Sequence, residues 1–296
     1  MICEMADLGF ERVELSHGIR MSLVPGILKA VEEKIISVGS LHNFCPLPPG
    51  VHYPAPNLYQ PSAADPRERE QWLRYTRQTM DFAKRIGASR IVLHLGSKSF
   101  FWRSPAGHLR RFAAAQGDSF DKNSEVFRRM QRRVAERMQR KLHSSWERTL
   151  GTLEKILPEA AAEGITLGVE NRESFEELPL DNQFDDLFRY FQGYSHLAAW
   201  HDTGHAHLKE RFGFLDHRSH LVKNKDRLVG FHLHDVQAGG KDHQEVGTGE
   251  IDFGMVVDFL QPGQEWVLEL NPLLTKEQVI RSRKRLEDLL EKRTKR

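Results

Sequence analysis

Carboxylates and imidazoles recur in this sequence at the ends of short apolar runs, in LGVEN (167–171), AAWHD (198–202), FHLHD (231–235) and VLELN (267–271). In extended backbone successive side chains face opposite ways, so a polar residue flanked by apolar neighbours points away from them. By that rule His94 between Leu93 and Leu95, Glu170 after Val169, His232 and His234 around Leu233, and Glu269 between Leu268 and Leu270 all face inward, as does His42 after Leu41. Asp202 ends its run, and the turn Thr203-Gly204 brings His205 back three residues later. One such group alone reads equally well as a hydrogen-bonded core residue. Six run ends of seven carrying carboxylate or imidazole do not, because unpaired buried charges cost several kcal/mol each and would not collect in one place without a compensating cation. A divalent metal compensates them, and carboxylates with imidazoles suit Mn, Zn, Co or Mg without choosing among them. Cys45, three residues beyond His42, reads as a plain buried thiol rather than a further soft ligand.

The elements that must position these residues follow one plan, a helical stretch and then a short β-branched run. The predicted strands are 10–15, 34–42, 90–96, 165–171, 196–202, 228–235 and 265–271. The predicted helices are 22–34, 65–86, 123–162 with a break before Pro158, 181–191 and 275–292, with Asp65 and Thr275 as N-caps. Strands alternating with helices at this spacing imply a parallel sheet with helices outside, and the strand ends carrying the polar groups are then the carboxyl ends, where barrels build their sites. The expected fold is α/β, a single (β/α)₈ TIM-type barrel over residues 1–296. Its first strand is absent from this chain, because the sequence opens directly in the helix-like ICEMADLGF. The start is then truncated or the barrel is open. An open edge leaves backbone groups unpaired and invites pairing with another chain, so a homo-oligomer is an expectation.

A chain of 296 residues that is 39% hydrophobic and 28% charged is globular rather than disordered. No apolar run approaches the roughly 18 residues of a membrane span, the start lacks the basic flank of a secretory signal, and two cysteines argue for reduced thiols; cytoplasmic residence is expected. The net charge of +2 hides a basic helical insertion around 103–143, where eleven Lys or Arg face four Asp or Glu. Val126, Met130, Val134 and Met138 recur beneath these charges, so the stretch reads as a solvated helix rather than a phosphate-binding surface. Phe100, Phe101 and Trp102 read as an apolar wall over the site mouth or as packing of the inserted helix, with equal weight.

GVEN (168–171), HDTGHAH (201–207), FHLHD (231–235), GTGEIDF (247–253) and LELNP (268–272), in this order and spacing, resemble the xylose isomerase-like TIM-barrel superfamily, which includes sugar phosphate isomerases and epimerases and endonuclease IV. The resemblance runs from Phe10 onward. It implies that Glu170, Asp202, His232 and Glu269 are shared metal ligands, that His205 is the histidine following the aspartate, and that 10–15 is the family's second strand.

Two chemistries follow from that resemblance. An isomerase or epimerase of a small sugar or sugar phosphate would bind the carbonyl of a ketose at the metal. It would move a proton through an enediolate, with Glu170 and Glu269 as base and acid. His205, His94, Arg172 and Lys241 are then the candidates for substrate hydroxyls or an anionic group. The alternative is an endonuclease IV-like zinc phosphodiesterase acting on abasic DNA, with His42, His94, His205 and His243 as additional metal ligands. Lys241 stands where that pattern has an aspartate, with Asp242 one residue off, and the basic excess lies in one stretch rather than over several loops, so nucleic acid is the less favoured partner.

Overall fold

The computed structural model describes residues 2–98, 100 and 104–295. In chain order these form α1 (Ile2–Asp7), β1 (Arg12–Leu15), α2 (Val24–Glu32), β2 (Ser37–His42), α3 (Pro66–Arg85), β3 (Arg90–Leu93), α4 (Gly107–Gln116), α5 (Glu125–Ala162), β4 (Thr166–Glu170), α6 (Phe184–Tyr190), β5 (Leu197–Asp202), α7 (Thr203–Glu210), α8 (His217–Asn224), β6 (Leu228–Leu233), β7 (Asp235–Gln237), β8 (Lys241–Gln244), α9 (Phe253–Val256), β9 (Glu265–Leu268) and α10 (Lys276–Thr294). Seven parallel strands make one nearly closed sheet in the order β1-β2-β3-β4-β5-β6-β9, while β7 and β8 form a separate antiparallel hairpin after β6. All seven predicted strands are present, and the expected eighth position is the unpaired seam between β9 and β1.

At its amino end the seam is bridged by side chains instead of a backbone ladder. Glu265 of β9 pairs with Arg12 of β1 at 2.6 Å and with Arg90 of β3. Outside it, Arg283 of α10 donates to the Leu8 carbonyl at 2.8 Å and covers the Phe10 ring.

The register aligns the functional ends. Glu170 lies opposite Trp200, Asp202 opposite His232, and His232 opposite Val267. Trp200 is buried beneath this layer, 5.3 Å from the His232 ring. It has room because position 230 is glycine; a Cβ there would lie 2.2 Å from the indole. The N-caps at Asp65 and Thr275 form as expected, each side chain accepting a backbone N–H of the first turn.

The helix after β3 corrects the expected break before Pro158, since α5 runs unbroken for 38 residues with Pro158 inside it. Proline removes one backbone hydrogen bond there, and buried Leu153, Ile156, Leu157 and Ala160 on either side hold the helix to the sheet. In the basic half, Val134 and Met138 are buried and Met130 is partly so, but Val126 is 61% exposed and Phe127 takes the inward position. Phe127 stacks edge-on with Phe120 and lies near Phe112 and Phe212, so an aromatic cluster anchors the insertion. Phe100 is partly buried against the core, whereas Phe101 and Trp102 lie outside the described residues.

Candidate metal centre

Four strands deliver the central group. Glu170 ends β4, Asp202 ends β5, His232 lies near the end of β6, and Glu269 follows β9. One ligand atom from each lies within 4.8 Å of every other. His232 is the hub: its Nδ1 is 2.8 Å from Glu170 Oε1, 3.1 Å from Glu269 Oε2 and 3.8 Å from Asp202 Oδ2. Its Nε2 is 2.9 Å from Glu14 Oε1.

Each carboxylate is fixed differently. Asp202 caps α7, its Oδ1 accepting the His205 N–H at 2.7 Å, and both its oxygens lie 3.1 Å from His234 Nε2. His234 in turn accepts the His243 backbone N–H on Nδ1, which places its own ring proton on Nε2, facing Asp202. Gly204 makes this approach feasible, for a Cβ there would meet the His234 ring at 2.1 Å. Asn171 exchanges two hydrogen bonds with the Asp202 backbone and so locks β4 to β5 at the site. Glu170 is held by Arg172, whose Nη1 donates to Oε2 and lies 2.9 Å from His94 Nε2, while its Nη2 donates to Glu177 at 3.1 Å.

These partners push the two glutamates apart. Burial opposes ionisation of Glu170, but the Arg172 charge and the His232 and His94 rings outweigh it and hold this carboxylate well below the usual range. Glu269 is raised by burial and by the negative charges of Asp202 and Glu170, against the pull of His232. For His232, burial disfavours the charge, yet Glu269 and Glu14 keep it well above the ordinary imidazole value. The outer imidazoles respond oppositely. Burial lowers His42, His94 and His205, and brings His17 down to about 4.

A family profile described as "Xylose isomerase-like TIM barrel" matches residues 3–273. The chain belongs to this family. Solved structures similar to this xylose isomerase-like barrel include a D-tagatose 3-epimerase-like protein (17% identity, TM-score 0.67, covering 97% of this chain and 91% of that one). An L-ribulose 3-epimerase gives 16% identity and TM-score 0.64 over 97% of this chain and 86% of its own. A 3-keto-D-glucoside 4-epimerase from E. coli gives the same identity and TM-score over 97% and 94%. No curated protein matches the sequence.

Within this xylose isomerase-like barrel the structure gathers most residues singled out from sequence. His205 stands beside the group, its Nδ1 3.0 Å from the Asn171 carbonyl and 3.7 Å from both Glu170 and Asp202. His42 stacks on His232 with ring centroids 5.0 Å apart, and His243 stacks on His234 at 4.1 Å. Lys241 is different: it is exposed on the β7–β8 hairpin, and among the described residues it has no ion-pair partner. Cys45 is fully buried and, among the described residues, lies outside the three candidate ligand groups.

Sequence reasoning passed over Glu14, His17 and Glu177. Glu14 carried a usable signal, since it sits between Val13 and Leu15 near a strand end. Asp235 of FHLHD serves the backbone: its two oxygens accept the N–H groups of Val236, Gly247, Gly249 and Ile251, which shapes the GTGEI turn.

Proposed function

We propose that this barrel is a divalent-metal-dependent isomerase or epimerase acting on a small sugar or sugar derivative by proton transfer through an enediolate. The observation that carries the reading is the convergence of Glu170, Asp202, His232 and Glu269 from four strands into one coordination-sized group. Three carboxylates and one imidazole fit Mn, Zn, Co or Mg. A bound ion would polarise a substrate carbonyl and stabilise negative charge on it.

The chain's own residues supply the rest. Glu269 is 28% exposed and held above the usual carboxylate range by burial and the neighbouring carboxylates, so of the two glutamates it is the one better suited to take and return a proton. Glu170, tied to Arg172, stays ionised as its partner. His17 Nδ1, His42 Nδ1 and His94 Nδ1 are buried without a protein hydrogen-bond partner, and uncharged imidazoles of this kind suit sugar hydroxyl groups. The solved structures named as epimerases of D-tagatose type, of L-ribulose and of a 3-keto-D-glucoside share this architecture and favour the same class.

A zinc phosphodiesterase of the endonuclease IV kind would use His94 with Glu170 for a further ion. Here the Arg172 guanidinium already bridges those two side chains, which puts a fixed positive charge in that place. The group His234, His243 and Glu269 is what favours the multi-ion reading, but both ring nitrogens of His234 are engaged, by Asp202 and by the His243 backbone.

Metal analysis combined with parallel assays on a ketose panel and an abasic-site duplex tests the proposal. One ion per chain with ketose interconversion is the expected result. Two or three zincs with strand cleavage would overturn it.

A further inference from the structure

Glu14 stands outside the four-donor group but touches its hub. It comes from β1, and its carboxylate is fixed at both oxygens: Oε1 lies 2.9 Å from His232 Nε2 and 3.3 Å from His42 Nε2, while Oε2 accepts the Ser40 hydroxyl at 2.6 Å. The side chain is only 6% exposed. A carboxylate placed this way costs desolvation, and the ordered acceptor geometry directs what remains of its charge at one imidazole.

That imidazole has two nitrogens with separate duties. Nδ1 faces Glu170, Asp202 and Glu269; Nε2 faces Glu14. A ring nitrogen that carries a proton cannot donate its lone pair to a cation. With Glu14 accepting the Nε2 proton, the nitrogen that gives up its proton to a bound ion is Nδ1, toward the three carboxylates. The same hydrogen bond fixes the ring's tilt and strengthens Nδ1 as a donor, as outer carboxylates do for metal-bound histidines in general.

We propose that Glu14 is a positioning residue for the metal site, setting the tautomer, orientation and donor strength of His232, with Ser40 anchoring Glu14 in turn. This inference rests on the metal reading above. It competes with one other use of the same atoms, because Glu14, His42 and His232 also lie within 4.8 Å of one another and would hold an ion of their own. The two uses differ in ion count and in what Ser40 does.

The test uses the full chain stripped of metal with a chelator and titrated with Mn²⁺ and Co²⁺ against a chromophoric chelator. Wild type is expected to take up one ion per chain. Glu14→Gln keeps an acceptor but loses the charge, and is expected to weaken binding by roughly 10- to 100-fold. Its thermal midpoint without metal, measured alongside, should stay near wild type. Ser40→Ala, which leaves Glu14 in place, is expected to weaken binding in the same direction by less. At saturating Co²⁺ the visible absorption of Glu14→Gln should differ from wild type, a change that loss of fold stability alone does not produce. Unchanged affinity and spectrum in Glu14→Gln would overturn the role of Glu14 while leaving the metal reading standing. So would two ions in wild type and one in Glu14→Gln. A wild-type chain that takes up no ion would overturn both.

Discussion

Two histidine clusters lie on opposite sides of β5 and behave oppositely. In the mouth, His232 is gripped by carboxylates at both nitrogens and is held well above the ordinary imidazole value. Behind the strand, His201 packs against α8. Its Nε2 is 2.8 Å from His217 Nε2, and its ring lies against His220 and Phe231. Burial and the neighbouring imidazoles push His201 well below its usual value, and burial brings His217 to about 4 and His220 to about 3. One contact explains the difference: an imidazole pair shares a single proton, whereas an imidazole between two carboxylates keeps both. The fifteen histidines of the chain therefore do not mark one function; the partner decides whether a buried histidine is a charged working group or neutral packing.

The widest separation between the two sides should appear in catalysis. Glu170→Gln and Glu269→Gln are each expected to lower kcat by roughly 10²- to 10⁴-fold while leaving the fold intact. His220→Phe behind the strand should leave kcat at the wild-type value. Steady-state kinetics on the same ketose decides this, and a glutamine variant with wild-type turnover would erase the contrast.

Proton linkage gives the next effect. His232 holds a proton on the side where a cation would bind, and its value lies well above the ordinary one, so binding must expel that proton. Affinity for Mn²⁺ is expected to rise with pH across the neutral range, by up to about tenfold per unit, with about one proton released per ion. Calorimetry in buffers of different ionisation enthalpy counts the protons; zero release would mean His232 is not the hub.

The smallest effect concerns acid stability. His217 and His220 titrate lower in the folded chain than the roughly 6.5 of an unfolded one, so below that value the unfolded state binds more protons. Their contribution is present above about pH 6.5 and is lost as pH falls toward 4, by up to about 1.4 kcal/mol per unit for each histidine. Urea midpoints between pH 7 and 4.5 should show this slope, and His220→Phe should flatten it. An unchanged slope in His220→Phe would mean that the back cluster titrates as freely as surface histidines.

The barrel was legible in the sequence because its strands are apolar runs with period-two polar interruptions, and the four central ligands each interrupt such a run at its end. What was passed over was obscured by its surroundings. Glu14 interrupts Val13 and Leu15 in the same way, but its four-residue strand also carries Arg12 and follows Glu11, and its partner His232 lies 218 positions away. Helices α7 and α8 bury His205, Lys209, His217, His220 and Asn224 rather than an aliphatic stripe, so no apolar period announced them. Pro158 read as a break because local propensity disfavours proline inside a helix, and packing on both sides of it prevailed. Asn171 and Asp235, which the motifs GVEN and FHLHD contain beside the ligand candidates, serve backbone groups.

Glu14 stands on β1 and Glu269 just past β9, the two strands that no ladder joins. His232, reaching toward both, ties the loose margins of the sheet together at the top, while Arg12 and Glu265 tie them at the bottom. Among the described residues the sheet is thus stapled twice along the joint between β9 and β1, and the upper staple is made of the side chains proposed to hold the metal. Gaping of that joint and loss of the working geometry are a single event, so whatever steadies the one preserves the other.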